Sequence, residues 1–268
     1  MSDQQDTVQF EIREQVAYVT LARPERRNAF DDTMIAAMRH HFLALARDES
    51  LRAVVLQGQG EHFSSGADLT WMQRMADYDF DANVADAHVL AGMLQALHSI
   101  PAPTIAVIRG AAFGGAIGLI ACCDMAIASE TAIFALSEVK LGLIPATISP
   151  YVIAAIGARA CSRLFLTGER FDVGTAKAIG LISEAVPEGE LALRSERLIS
   201  ELTASGPAAV RAAKRLIRDV ADQPIDRALI DDTCQAIAEI RVSDEGQAGL
   251  KAFLNKLPPP WRDSSHAP

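Results

Sequence analysis

The sequence predicts an α/β body followed by a helical tail, and three observations carry that prediction. Over the first part of the chain, short apolar runs of strand length alternate with segments of helical periodicity. One such run, Pro103 to Ile108, leads directly into the glycine-rich string GAAFGGAIGLIACCD at 110–124. From about residue 187 only helix-like segments follow. The expected division is therefore a strand-and-helix core over 1–190 and a helical region over 191–268.

Residues 8–21, VQFEIREQVAYVTL, read as two strands with a polar turn between them. Asp31 or Asp32 then caps a helix that sets Met34, Ile35, Met38, Phe42 and Leu45 at helical spacing. Arg52–Gln57 is the next strand, and EHFSSGADL at 61–69 is a loop running into a helix. Residues 84–98 form a helix that Pro101 and Pro103 stop. A strand over 103–109, the glycine-rich turn and its helix, and short strands near 124–128 and 131–135 complete the alternation. No sequence repeat is visible, although a strand–strand–helix rhythm recurs. In the tail, Pro207 opens a helix with Val210, Ala213, Ile217 and Val220 on one face. Further helices are expected at about 224–241 and 244–256, after which PPPW ends the ordered chain and DSSHAP is loose. So small a tail has too little core to stand alone, and must dock on its own body or on a neighbour.

Composition narrows the function. With 268 residues, half of them hydrophobic, the chain can bury a full core. A net charge of −9 argues against nucleic-acid binding, which needs a basic face. No apolar run approaches the roughly 20 residues that span a bilayer, and MSDQQDTVQF lacks a signal peptide's apolar core. Cys122, Cys123, Cys161 and Cys234 show no CxxC spacing, so a reducing, cytoplasmic location is expected. His62 and the pair His40–His41 have no spacing that completes a ligand set, and no metal is expected. GAAFGG lacks the GxGxxG spacing of a dinucleotide site. Arg23, Arg26 and Arg27 form the densest cationic cluster beside a loop, either a solvated turn or the seat of a small anionic ligand.

The glycine-rich junction admits two readings. A helix that starts near Gly114–Gly115 aims unpaired N–H groups and the positive end of its dipole forward. Small residues let a ligand oxygen approach that backbone, which suits charge developing on a carbonyl oxygen. Alternatively, Gly114, Gly115 and Gly118 only let a helix pack closely.

Taken together, Arg27-Asn28-Ala29-Phe30, HFSSGADL at 62–69, GAAFGGAIGLIACCD at 110–124 and LSEVKLGLIP at 136–145 resemble the crotonase, or enoyl-CoA hydratase/isomerase, superfamily. The tail EGQAGLKAFLNKLPPPW at 245–261 also resembles the family's C-terminal signature. The resemblance implies a spiral of ββα units and a C-terminal helical region that builds homotrimers, often paired into hexamers. It implies a thioester carbonyl held between the N–H groups of Ala67 and Gly115, with no cofactor beyond the coenzyme A of the substrate. Ser65, Gly66, Asp68, Leu69 and Thr70 are expected around the CoA, with Arg26 and Arg27 near its phosphates. Phe253 and Lys256 are expected to reach a neighbouring subunit's CoA, with tail packing the alternative for Phe253.

Hydratases of this family bring two glutamates to one water, and here the second falls on Glu138 while the first position holds Gly118. A carboxyl among Leu136, Ser137 and Val139 has its pKa driven upward, which suits proton exchange. With one carboxyl, the resemblance leaves open a hydratase, a double-bond isomerase, or an inactive CoA-binding protein. The strings GADLTWM and LSEVKLGLIPATISPYV are most similar to bacterial hydratases of branched, carboxylated enoyl-CoAs such as 3-methylglutaconyl- and γ-carboxygeranoyl-CoA. On that reading Gly118 frees volume for a branch, and Lys140 or Arg159 pairs with a distal carboxylate.

Overall fold

A computed structural model describes residues 7–262, so the DSSHAP segment expected to be loose lies outside the described residues. The chain runs through β1 (Val8–Arg13), β2 (Val16–Leu21), α1 (Asp32–Leu45), β3 (Ala53–Gly58), α2 (Leu69–Met75) and α3 (Phe80–His98). It continues with β4 (Thr104–Ile108), β5 (Ala111–Phe113), α4 (Gly115–Cys122), β6 (Met125–Ser129), β7 (Ile133–Ala135) and α5 (Ser149–Thr167). Then come β8 (Arg170–Asp172), α6 (Val173–Ala178), β9 (Glu184–Val186) and the helices α7 (Leu191–Thr203), α8 (Pro207–Val220), α9 (Arg227–Val242) and α10 (Asp244–Leu254).

Six strands form one sheet in the order β1-β2-β3-β4-β6-β9, with β1 antiparallel to β2 and every other pair parallel. A second sheet, β5-β7-β8, lies beside it. The units β4-β5-α4 and β6-β7-α5 each place their first strand in the large sheet and their second in the small one. That repetition winds the chain into the expected spiral. The strand β5 lies inside what reads as a glycine-rich turn; three residues, Ala-Ala-Phe, are too few to show a strand period.

The large sheet is covered on both faces, which is why β3 reads as a continuous apolar run. On one face α1 buries the five positions its periodicity marks, Met34, Ile35, Met38, Phe42 and Leu45, and Asp31 is the residue that caps it. On the other face α7 sets Leu191 against Ile105 and Ile127, and Ile199 and Leu202 against Val16, Ala53 and Val55. The core therefore continues past residue 190. Helix α3 begins at Phe80, earlier than its apolar pattern indicates, because Asp79 accepts from Ala82 N and starts it there.

The tail docks on its own body by a polar route. The apolar face expected of α8 does not carry the contact: Ala213 and Ile217 are exposed, and the buried residue is Lys214. Its Nζ donates to Ala102 O at 2.9 Å and pairs with Asp124 at 2.5 Å, while Arg218 donates to His98 O. Those carbonyls and Asp124 flank β4 and outcompete an apolar contact, since a buried ammonium needs partners. Glu245 from α10 accepts from the Ala208 and Ala209 N–H groups and so caps α8.

Candidate active site

Two loops meet at the end of the large sheet. The first, Phe63 to Asp68, lies between two neighbours and bonds to both. Ser64 takes Ala111 O through its N–H and accepts from Phe113 N, while Phe30 donates to Gly66 O and accepts from Asp68 N. Because Phe30 bonds to the residues on either side of Ala67, the Ala67 N–H faces away from Phe30. The second loop brings Gly115 alongside. A Cβ placed on Gly66 would lie 2.7 Å from Phe113 O and 3.8 Å from Gly115 N. Among the described residues neither the Ala67 nor the Gly115 N–H has a hydrogen-bond acceptor. Gly115 opens α4, so its donor is one of the helix's unpaired N–H groups. Ala67 and Gly115 both line one cavity of about 630 Å³.

Sterics fix the second loop. A Cβ on Gly115 would stand 2.7 Å from Phe30 Cζ. Gly114 adopts φ 53° and ψ −123°, a conformation for which a side chain would be strained, and its N–H donates to Ala135 O.

Polar side chains fix the first loop. Asn28 is fully buried and donates from Nδ2 to Gln59 O at 2.9 Å and His62 O at 2.7 Å. The Ser64 hydroxyl donates to Asn28 O and accepts from Gly66 N. Asp68 caps α2 by accepting from Thr70 and Trp71 N–H and pairs with Arg23 at 3.1 Å. Burial alone would raise the Asp68 pKa; the two N–H bonds and Arg23, joined by Arg26, outweigh it and hold the carboxyl below its ordinary value.

Glu138 begins a 3₁₀ turn, Glu138–Leu141, and lines the same cavity as Ala67 and Gly115. Its Oε2 is buried with no hydrogen-bond partner, and a Cβ on Gly114 would lie 3.3 Å from its Oε1. Burial pushes its pKa above the ordinary glutamate value, and its own N–H pulls more weakly the other way. A buried carboxyl without a partner can exchange a proton with a bound molecule, and unpaired amides lining the same cavity can donate to an oxygen of it.

Other expected site residues take different places. Gly118 is buried in α4, and the volume expected to be free there is filled: a Cβ at this position would stand 2.3 Å from Ile148 Cγ2 and 3.6 Å from Leu94 Cδ2. Asp68, expected at the CoA, has its carboxylate committed to the α2 cap and Arg23. Arg23 leaves the cationic cluster for Asp31, Asp68 and Ala29 O, while Arg26 and Arg27 stay exposed on the surface. Ser65 is half-buried and donates to Arg27 O, and Leu69 and Thr70 are exposed at the start of α2. Phe253 and Lys256 are exposed at the end of α10 and do not line this cavity. Neither does Lys140, which packs near Gly168, nor Arg159, which lies in a separate depression with Ile156 and Ser162. His62 Nδ1 accepts from Ala111 N, and among the described residues no group of three or more His, Cys, Asp or Glu could hold a metal ion.

The sequence did not single out several walls of the cavity, among them Trp71, Asp86 and Ile148. A signal existed for Asp86, an acidic residue on the helical stripe it shares with Leu90 and Leu94. No local signal links Ile148 to Gly118.

The sequence profile of the enoyl-CoA hydratase/isomerase family matches residues 11–264. The solved structure of an enoyl-CoA hydratase from Shewanella pealeana is 43% identical with a TM-score of 0.92, over 96% of this chain and 97% of that one. Pseudomonas aeruginosa AtuE is 33% identical with a TM-score of 0.91, over 96% of this chain and 100% of its own. The 2,3-dehydroadipyl-CoA hydratase of Escherichia coli is 29% identical over 252 residues, 93% of this chain and 96% of that protein. No helix among the described residues is long and apolar enough to cross a membrane.

Proposed function

The chain belongs to the enoyl-CoA hydratase/isomerase family, and from that premise we propose that it adds water across the double bond of an α,β-unsaturated acyl-CoA thioester, with Glu138 as the one side chain that moves protons. The observation that supports this reading is the shared cavity: two unpaired amides, of Ala67 and Gly115, and the orphaned Glu138 carboxyl. The thioester oxygen accepts from both amides. Ionised Glu138 takes a proton from water as its oxygen bonds to carbon beta, and the electron pair of the double bond moves toward the thioester oxygen. The protonated carboxyl then returns that proton to carbon alpha, the carbonyl re-forms, and the enzyme is restored. Charge on the oxygen is the main barrier, and each backbone donor is worth about 3 kcal/mol in such a transition state. Coenzyme A enters only as part of the substrate.

A second reading is favoured by one observation. Ile148 occupies the space into which a side chain at Gly118 would project, leaving a single carboxyl at the reacting end. One carboxyl suffices for a double-bond isomerase, which removes a proton at one carbon and returns it at another. The experiment is turnover of crotonyl- and hexenoyl-CoA with mass analysis of the product. Gain of one water supports the hydratase. Unchanged mass with a relocated double bond supports the isomerase, and no reaction with retained binding supports an inactive CoA-binding protein.

The finer expectation of a branched, carboxylated acyl chain lacks its cation, since no Lys or Arg among the described residues lines the cavity. We further propose a homotrimer or a dimer of trimers. Phe253, Leu254 and Leu257, 79%, 75% and 63% exposed, would then be covered by a neighbouring subunit, with Phe253 and Lys256 beside its CoA. Sedimentation analysis tests the assembly, and a monomer at micromolar concentration would refute it.

A further inference from the structure

We infer that Asp86, fixed by Trp71, makes the far end of the acyl cavity an anionic filter that admits neutral or donor-bearing acyl chains and turns away chains ending in a carboxylate. This rests on the acyl-CoA reading of the cavity and names the substrate class within it.

The geometry begins at Trp71, which is 4% exposed on α2 and lines the cavity. Its Nε1 donates to Asp86 Oδ1 at 3.1 Å. Oδ2 has no partner among the described residues, so half of this carboxylate remains available to a ligand. Asp86 is only half-buried at the cavity wall.

Helix α3 shows which end this is. Asp86, Leu90 and Leu94 follow one another at intervals of four on one face. Leu94 sits at the reacting end, beside Ile148 and Gly118. Asp86 is eight residues, or about 12 Å, further along the axis at 1.5 Å per residue. It therefore cannot stand in for the glutamate absent at position 118; it faces what extends beyond the double bond.

Charge completes the inference. Asp86 and Glu138 are the charged side chains of the cavity wall, both acidic, and no cation offsets them among the described residues. An ω-carboxylate entering this space would lose water and meet a like charge, with no guanidinium or ammonium to accept it. A hydroxyl or an ammonium in the same place would donate to Asp86 Oδ2.

The test is calorimetric binding of saturated thioesters, which requires no turnover. Hexanoyl-, adipoyl- and 6-aminohexanoyl-CoA are compared, with octanoyl- and suberoyl-CoA as a longer pair. In the wild type, the neutral thioester is expected to bind at least about tenfold more tightly than the diacid of equal length, and the amino thioester at least as tightly as the neutral one. Asp86→Asn retains an acceptor for Trp71; it should weaken the amino thioester and strengthen the diacids, bringing both ratios to within about threefold of one. Diacids that bind the wild type as tightly as monoacids at both lengths, or ratios unchanged in Asp86→Asn, would overturn the filter. The wild-type series alone decides if the variant does not fold. A protein that binds with these preferences but transforms no enoyl thioester refutes the hydratase and keeps the filter. One that hydrates but shows no charge preference does the reverse, and failure to bind any thioester refutes both.

Discussion

The two loops that supply the unpaired amides are held by opposite means. The Phe63–Asp68 loop is fixed by polar side chains: Asn28 spans two carbonyls, the Ser64 hydroxyl bonds in both directions, and Asp68 is shared between a helix cap and Arg23. The Gly110–Gly115 loop is fixed by the absence of side chains, with the Phe30 ring occupying the place a Cβ on Gly115 would need. Phe30 joins them, since its backbone bonds to both sides of Ala67 while its ring bears on Gly115. A donor held by hydrogen bonds should tolerate small changes of volume and fail when partners are removed. A donor held by packing should do the reverse.

The largest effect expected lies where both loops converge. Glu138→Gln should lower kcat about 10³-fold while acyl-CoA affinity and the circular dichroism spectrum persist. Loss of this size says that both amides serve one proton carrier; unchanged kcat would leave the loops without a common purpose. Next, Gly115→Ala should lower kcat/KM about 10²-fold, because its Cβ would lie 2.7 Å from Phe30 Cζ and must displace the amide. Phe30→Leu in the same chain should recover part of that loss, and failure to recover any would show that packing is not what holds Gly115.

Asp68→Ala probes the polar loop and should act more mildly, lowering kcat about tenfold with little change in KM and costing about 1–2 kcal/mol of stability by denaturant unfolding. A rise in KM alone would instead return Asp68 to the CoA contact its position in the motif implies. The smallest effect is a pH dependence. Glu138 is held above its ordinary pKa by burial, so the folded state binds its proton more readily than the unfolded chain. Its contribution to stability is complete below the unfolded pKa and is lost as pH rises through the folded one. Glu138→Gln should therefore be more stable than the wild type at neutral pH, with the difference closing as pH falls below the ordinary glutamate range. The same ionisation sets the acid limb of kcat/KM, which should lie above that range in the wild type.

How much of this was legible in the sequence varies with the kind of interaction. The buried positions of helix α1 were readable residue by residue because they follow its periodicity, and its cap was narrowed to two adjacent aspartates because Asp31 adjoins the first turn. The strand β5 was not, being too short to show a period and made visible only by β7 beside it. Which face of α8 meets the body was not legible, because its apolar pattern said nothing of the carbonyls and the Asp124 carboxylate that Lys214 reaches. In the site, the glycine-rich junction and Glu138 stood out, the latter only by resemblance. Asp68 showed its chemistry but not its partner, since Arg23 lies 45 residues away.

The alternation of apolar runs determined an α/β fold, and the glycine at 115 determined that something would come close to the backbone there. Both follow from rules acting within a few residues along the chain. Which atom came close to Gly115, what filled the space at Gly118, and that Asp86 rather than a cation lines the cavity were decided only in three dimensions. Close packing and charge pairing act between neighbours in space, and the fold chose those neighbours from residues far apart in the chain.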